Sequence, residues 1–248
     1  MNGKKFGQSE VHESLTRFTD FTNELMRFST TIGRDIVMGM VKRDHAVQAR
    51  QHAILEALVL TASWGALESF VEDVVKASLR DRQGQVDTRK LNQFKFSAED
   101  LLSSVDERID VIFKAITSAA GKGVGIGKFE KLLDYVDLDG QVPHLVKTGI
   151  FETQQIRNIW AHKAGRADKR FVDAAPSLGF SEGDNVEISS EALYHYILNM
   201  VVYAAIVCSR YMVSNGWKPI RLAYGRGDPS VDAYMELYPV NEDSEPGT

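Results

Sequence analysis

The sequence predicts an all-α protein, a helical bundle with additional helices and loops. Two observations carry that reading. Apolar residues recur at steps of three and four along most of the chain, which is the period of a helix with one buried stripe. Alternation at the strand period is scarce, and the long apolar segments are joined by short runs of turn residues.

The elements follow in order. Between Val11 and Ile32, Leu15, Phe18, Phe21, Leu25 and Phe28 form one helical stripe. The longest periodic segment runs from about Asp44 to Arg82, uninterrupted by proline and weakened only at Gly65. Ser97-Ala98-Glu99-Asp100 matches a capping box and predicts a helix running to about Ala120. Gly121, Gly123, Gly125 and Gly127 end that pattern. A short helix is expected over Lys128 to Val136, then a turn from Asp137 to Pro143. Thr148 is a plausible N-cap for a helix ending near Lys163, with Gly165 just past its end. Arg166 to Ile188 reads as loop. Ser190-Glu191 opens a strongly apolar helix that Asn215-Gly216 stops. Beyond that point there is too little pattern to assign an element.

Composition narrows the function classes. With 248 residues, 44% hydrophobic and 25% charged, the chain has the mix of a soluble globular protein and the length for a full core. No run of 18 apolar residues exists, so no membrane span is expected. The stretch Met1 to Gly7 has no apolar core of a signal peptide, and a cytoplasmic location is the expectation. A single cysteine, Cys208, excludes a disulfide framework within the chain and a multi-cysteine zinc site, and its apolar helix predicts a packed core position. Lys plus Arg number 29 and Asp plus Glu 34, a net charge of −5. Six of the acids lie from Asp228 onward with no Lys or Arg among them, leaving a net of +1 in the rest. The expected organisation is therefore one helical domain over residues 1–227 and an acidic C-terminal tail over 228–248.

Two familiar motifs fail. A phosphate loop ending at Lys128 needs a Ser or Thr after the lysine and a glycine five before Gly127; the chain has Phe129 and Lys122. The glycine run is accordingly read as a flexible linker. A calcium loop over Asp137-Leu138-Asp139-Gly140 would need an acid at Tyr135 and a glutamate at Val146. His12, His45, His52, His144 and His195 show no metal-ligand spacing. No metal and no cofactor is expected.

One stretch survives, Gln155-Ile156-Arg157-Asn158-Ile159-Trp160-Ala161-His162-Lys163-Ala164-Gly165. It sets four residues between Arg157 and His162, with the polar Asn158 directly after the arginine. This resembles the signature of the HEPN superfamily. Leu67-Glu68-Ser69-Phe70 in the long helix looks like a stretch of the larger HEPN groups, including the RiboL-PSP type. The resemblance implies a helical bundle, a metal-independent endoribonuclease, and a homodimer in which two copies of the motif share one composite cleft. It also implies work as a toxin with an antitoxin protein partner, in phage defence or in RNA processing.

The residue chemistry is compatible with that reading. Ribonuclease action without metal needs a proton shuttle near neutral pH, which histidine supplies, and a fixed cation for the charge growing on phosphorus, which arginine supplies. Arg157 and His162 are the catalytic candidates. A five-residue spacing turns about 140° on an ideal helix, so one chain does not aim both at one point. Asn158 and Glu68 are supporting candidates: Asn158 to orient His162 or bind substrate, Glu68 to hold Arg157 or His162, unless it is an exposed helix glutamate. From Glu152 to Phe171 there are five basic residues and two acids, and Lys163, Arg166, Lys169 and Arg170 are the expected RNA contacts. The same charges also suit a helix C-terminus through its dipole. Ile159 and Trp160 read as core. Two other functions stay open: a non-catalytic RNA- or nucleotide-binding module, and a helical protein-interaction domain.

Overall fold

The computed structural model describes residues 9–38, 45–81, 88–121, 123–222, 225 and 227–239. Among them the chain is all helical: α1 Glu10–Met38, α2 His45–Asp81, α3 Thr88–Leu91, α4 Ala98–Leu102, α5 Val105–Ala120, α6 Gly127–Asp134, α7 His144–Lys163, α8 Lys169–Ala174, α9 Ser190–Ser214 and α10 Pro229–Leu237. No strand occurs among the described residues, and a single antiparallel bridge joins Arg166 to Asn185.

Two long apolar helices make the centre. Along α9, Val202 to Cys208 are almost wholly buried, and along α2 so are Leu60, Leu67, Val71, Val74 and Val75. Each could cross a membrane by length and average hydropathy, which a search for unbroken apolar runs does not register, but more than half of each apolar window lies inside the fold. Cys208 is core, and burial pushes its thiol far above the ordinary range.

Helix α1 lies antiparallel along α2. Ser14 donates to Asp73 at 3.3 Å, Phe18 meets Phe70 at 5.6 Å between ring centroids, and Ser29 donates to Glu56 at 3.2 Å, so partners fall on α2 as they rise on α1. Glu56 is buried and also accepts from the Ser190 hydroxyl at 2.7 Å, tying α1, α2 and the start of α9 together. The expected α1 stripe divides here: Phe18 is buried, whereas Phe21 and Phe28 face solvent.

Four sequence expectations need correction. The helix opened by Ser97 has its capping box, but stops at Leu102; Ser104 and Glu107 form a second box that restarts the chain as α5. Helix α7 starts at His144, not after Thr148. Pro143 holds the N-cap position, and Val146, Gly149 and Ile150 are already buried. The segment from Arg166 to Ile188 contains α8, capped by Asp168, and a short 3-10 turn at Pro176–Leu178. Finally, the acidic stretch beginning at Asp228 includes α10. Asp228 caps it, Pro229 opens it, and Val231 and Tyr234 are buried. Glu242, Asp243 and Glu245 lie outside the described residues.

Candidate functional site

Helix α7 carries the site, and its position is fixed at both ends. At the N-terminal end, Arg210 of α9 donates to the Leu138 and Gln141 carbonyls at 3.0 Å each and pairs with Glu130 of α6. Tyr203 donates to the same carboxylate at 2.6 Å, and the Gly140 N–H at 2.9 Å. At the other end Ala164 adopts the left-handed conformation and the Gly165 N–H donates to Ile159, closing the last turn. Gly165 has φ +79° and a Cβ there would lie 2.8 Å from the Trp160 ring, so no side chain fits without displacement. The Trp160 indole N–H donates to Val186 at 3.0 Å, and the Arg50 guanidinium sits 5.3 Å from its ring centroid. Ile159 is buried and Trp160 half-buried, as expected of core residues.

A cleft of about 490 Å³ opens along this half of α7. Gln154, Asn158 and His162, at successive steps of four, line it as one stripe. Glu68 of α2 and Lys128 of α6 lie opposite and pair at 3.9 Å. Lys163, Asp168 and Arg170 close the end nearest α8, with Lys163 and Asp168 at 3.8 Å. Besides His162, the lining thus has three Lys or Arg side chains (Lys128, Lys163, Arg170) and two carboxylates (Glu68, Asp168).

The glycine run forms the remaining wall through Gly121, Gly123 and Val124. It is built rather than a loose linker. Gly125 has φ +57° and its N–H donates to Gln154 at 2.6 Å, while a Cβ on Gly123 would lie 2.4 Å from the Lys128 backbone nitrogen. Lys128 fails as a phosphate-loop lysine, yet the glycines bring it to the cleft beside Glu68.

Five of the eight expected residues come together here: Glu68, Asn158, His162, Lys163 and Arg170. Arg157, Arg166 and Lys169 do not line the cleft. Arg157 is half-buried on an adjoining flank of α7; its Nη1 donates to the Asn158 Oδ1 at 3.2 Å, and its Nε is buried without a partner. Arg166 and Lys169 point to solvent on either side of the Asp168 cap. Glu68 lines the cleft while partly exposed, and its ion-pair partner is Lys128, neither Arg157 nor His162. Lys128, Gln154, Gln155, Asp168 and Phe171 are lining residues that sequence reasoning missed. The four-residue polar spacing from Gln154 to His162 was the available signal for Gln154.

Chemically, one opening gathers an imidazole, three amides, and three basic side chains of which Lys128 and Lys163 are paired with Glu68 and Asp168, a lining with one net positive charge (3 − 2) that can receive an anionic group. Among the described residues no group of three His, Cys, Asp or Glu side chains is placed to hold a metal ion. Compared with known proteins, the chain matches no family model, no curated protein and no solved structure.

Proposed function

We propose that the protein is a metal-independent endoribonuclease of the HEPN type, in which His162 moves the proton and the cleft cations hold the phosphate. The observation that carries this reading is the convergence of His162 and Asn158 with Lys128, Lys163 and Arg170 on one opening. In the proposed step a ribose 2′-OH loses its proton and attacks the adjacent phosphorus. The bond to the 5′ oxygen breaks, that oxygen takes a proton, and the products are a 2′,3′-cyclic phosphate and a 5′-OH end. Charge growing on the equatorial oxygens is met by fixed cations already in place. Arg157 enters this reading from a second chain, since within one chain it lies off the cleft lining. A homodimer is therefore part of the proposal, and cellular roles as a toxin, in defence or in RNA processing fit the same chemistry.

A second reading, an RNA-binding module without catalysis, is favoured by one observation. Arg157 is held by Asn158 beside the cleft instead of opening into it. The test is RNA cleavage and RNA binding measured in parallel on wild type and His162→Ala, with excess EDTA. Cleavage lost in the variant with binding retained supports the nuclease; binding by both and cleavage by neither supports the module; binding by neither removes both readings.

A further inference from the structure

The pair α1–α2 carries an apolar face that no other described residue covers. On α1, Phe21, Leu25, Phe28 and Ile32 recur at steps of four, three and four, and Phe21 and Phe28 are 44% and 53% exposed. On α2, Ile54 and Leu58 are 39% and 62% exposed. The antiparallel register that sets Ser29 beside Glu56 brings Phe28 alongside Leu58. Arg17 of α1 meets Asp73 of α2 at 2.7 Å on this same flank, so the two exposed stripes adjoin. These are one surface, not scattered residues.

A second feature of α2 belongs with it. Gly65 sits in the middle of a long helix, exposed, and a Cβ there would meet nothing within 4 Å. An interior helix glycine is destabilising relative to alanine, and no contact with the described residues requires it. It follows Thr61 and Ala62 along the edge of the stripe, a run of small side chains where another backbone can approach closely.

We propose that this face is the seat of a second copy of the chain, the two α1–α2 pairs packing as a four-helix bundle about a two-fold axis. Size and charge select that occupant. Between Gln51 and Ser69 the exposed stripe of α2 holds no charged residue, a length of about 27 Å at helical rise; with two helices about 10 Å wide the face offers about 500 Å² per copy. Two such faces bury about 1,000 Å², the lower bound for a specific association. A lipid surface or a nucleic acid would need unpaired cations at the rim. Among the described residues of the rim, Arg17 is paired with Asp73, Lys76 with Glu72 and Asp110, and Arg50 is engaged by Trp160 and Ala164. An uncharged stripe is complementary to itself, as a two-fold interface requires. Glu68, on the adjoining flank of α2, lines the cleft, so the second copy would sit beside it.

The inference names the surface for the pairing used under the proposed function but stands on the face itself, whatever reaction the cleft performs. The test is the mass of the full chain in solution, by light scattering and sedimentation over a dilution series, for wild type, Leu58→Glu and Gly65→Leu. The expected result is a wild-type dimer at micromolar concentration, with association weakened about tenfold or more in each variant. Gly65→Leu is the safeguard should Leu58→Glu fail to fold, because it raises helix propensity and melts no lower than wild type when dilute and monomeric. A monomeric wild type, or a Gly65→Leu chain that associates as wild type does, overturns the proposal. RNA cleavage read on the same samples separates this result from the functional one.

Discussion

Arg210 is the residue whose removal the fold should feel most. Its side chain is 10% exposed and that of Glu130 18%. In Arg210→Met, Glu130 loses its cation while keeping Tyr203 and Gly140 as donors, and the Leu138 and Gln141 carbonyls lose theirs. Breaking a buried ion pair from one side costs about 3–5 kcal/mol, and the two surviving donors put this case near about 3 kcal/mol. At about 2–4 °C per kcal/mol for a chain of this size, the melting temperature falls by about 6–12 °C. Replacing both partners, as Arg210→Met with Glu130→Gln, removes the stranded charge and should recover about 1–2 kcal/mol relative to the sum of the single variants. Urea unfolding followed by circular dichroism reads both quantities. A single variant within about 0.5 kcal/mol of wild type, or a double variant that is merely additive, refutes the assignment of this pair as the anchor of α7.

Other expectations follow from the same geometry. Lys128→Ala should weaken RNA binding about equally across sequences and reduce the slope of log affinity against log salt by about 1, read by titrations at several salt concentrations. Gly165→Ala meets a left-handed backbone and the Trp160 ring, and should destabilise by about 1–3 kcal/mol in a denaturant melt; an unchanged midpoint contradicts the steric argument. In the two capping boxes, hydrogen bonds from the Ser97 and Ser104 side chains, then from their backbone N–H groups, hold the Asp100 and Glu107 carboxyls below the usual range. Carboxyls lowered in the fold stabilise it above their unfolded values near about pH 4, and lose that contribution as pH falls through the lowered ones. Ser104→Ala should remove the larger part of the Glu107 shift and leave the part due to the backbone N–H, followed by carboxyl chemical shifts against pH.

How much of this was legible in the chain depends on the range of the interactions involved. Helices α2 and α9 declare themselves because a long apolar period needs no knowledge of the partner, and the Ser97 box is written in four consecutive residues. The break at Ser103-Ser104 was equally local, a second box hidden inside an apolar run that continued on both sides. Pro143 outweighed Thr148 because the turn before α7 is fixed from a distance by Arg210, to which sequence period is blind. At the site, Asn158, His162 and Lys163 were found because they lie on one helix. Lys128 and Glu68 meet only through the packing of α2 and α6, and nothing local predicts a pair sixty residues apart. Arg166 and Lys169 were counted with the basic cluster by proximity in sequence, but of the three exposed side chains around the Asp168 cap only Arg170 lines the cleft. Phe21, Phe28, Ile54 and Leu58 teach a related lesson: their period marks an apolar face without saying which molecule covers it.

The proposed function turns on His162 moving a proton at an RNA phosphate. The direct measurement is end-group analysis of labelled RNA incubated with wild type and with His162→Ala in excess EDTA. The account predicts 2′,3′-cyclic phosphate and 5′-OH ends from wild type and intact RNA from the variant. Equal cleavage by both proteins, or ends bearing a 5′-phosphate, would contradict it.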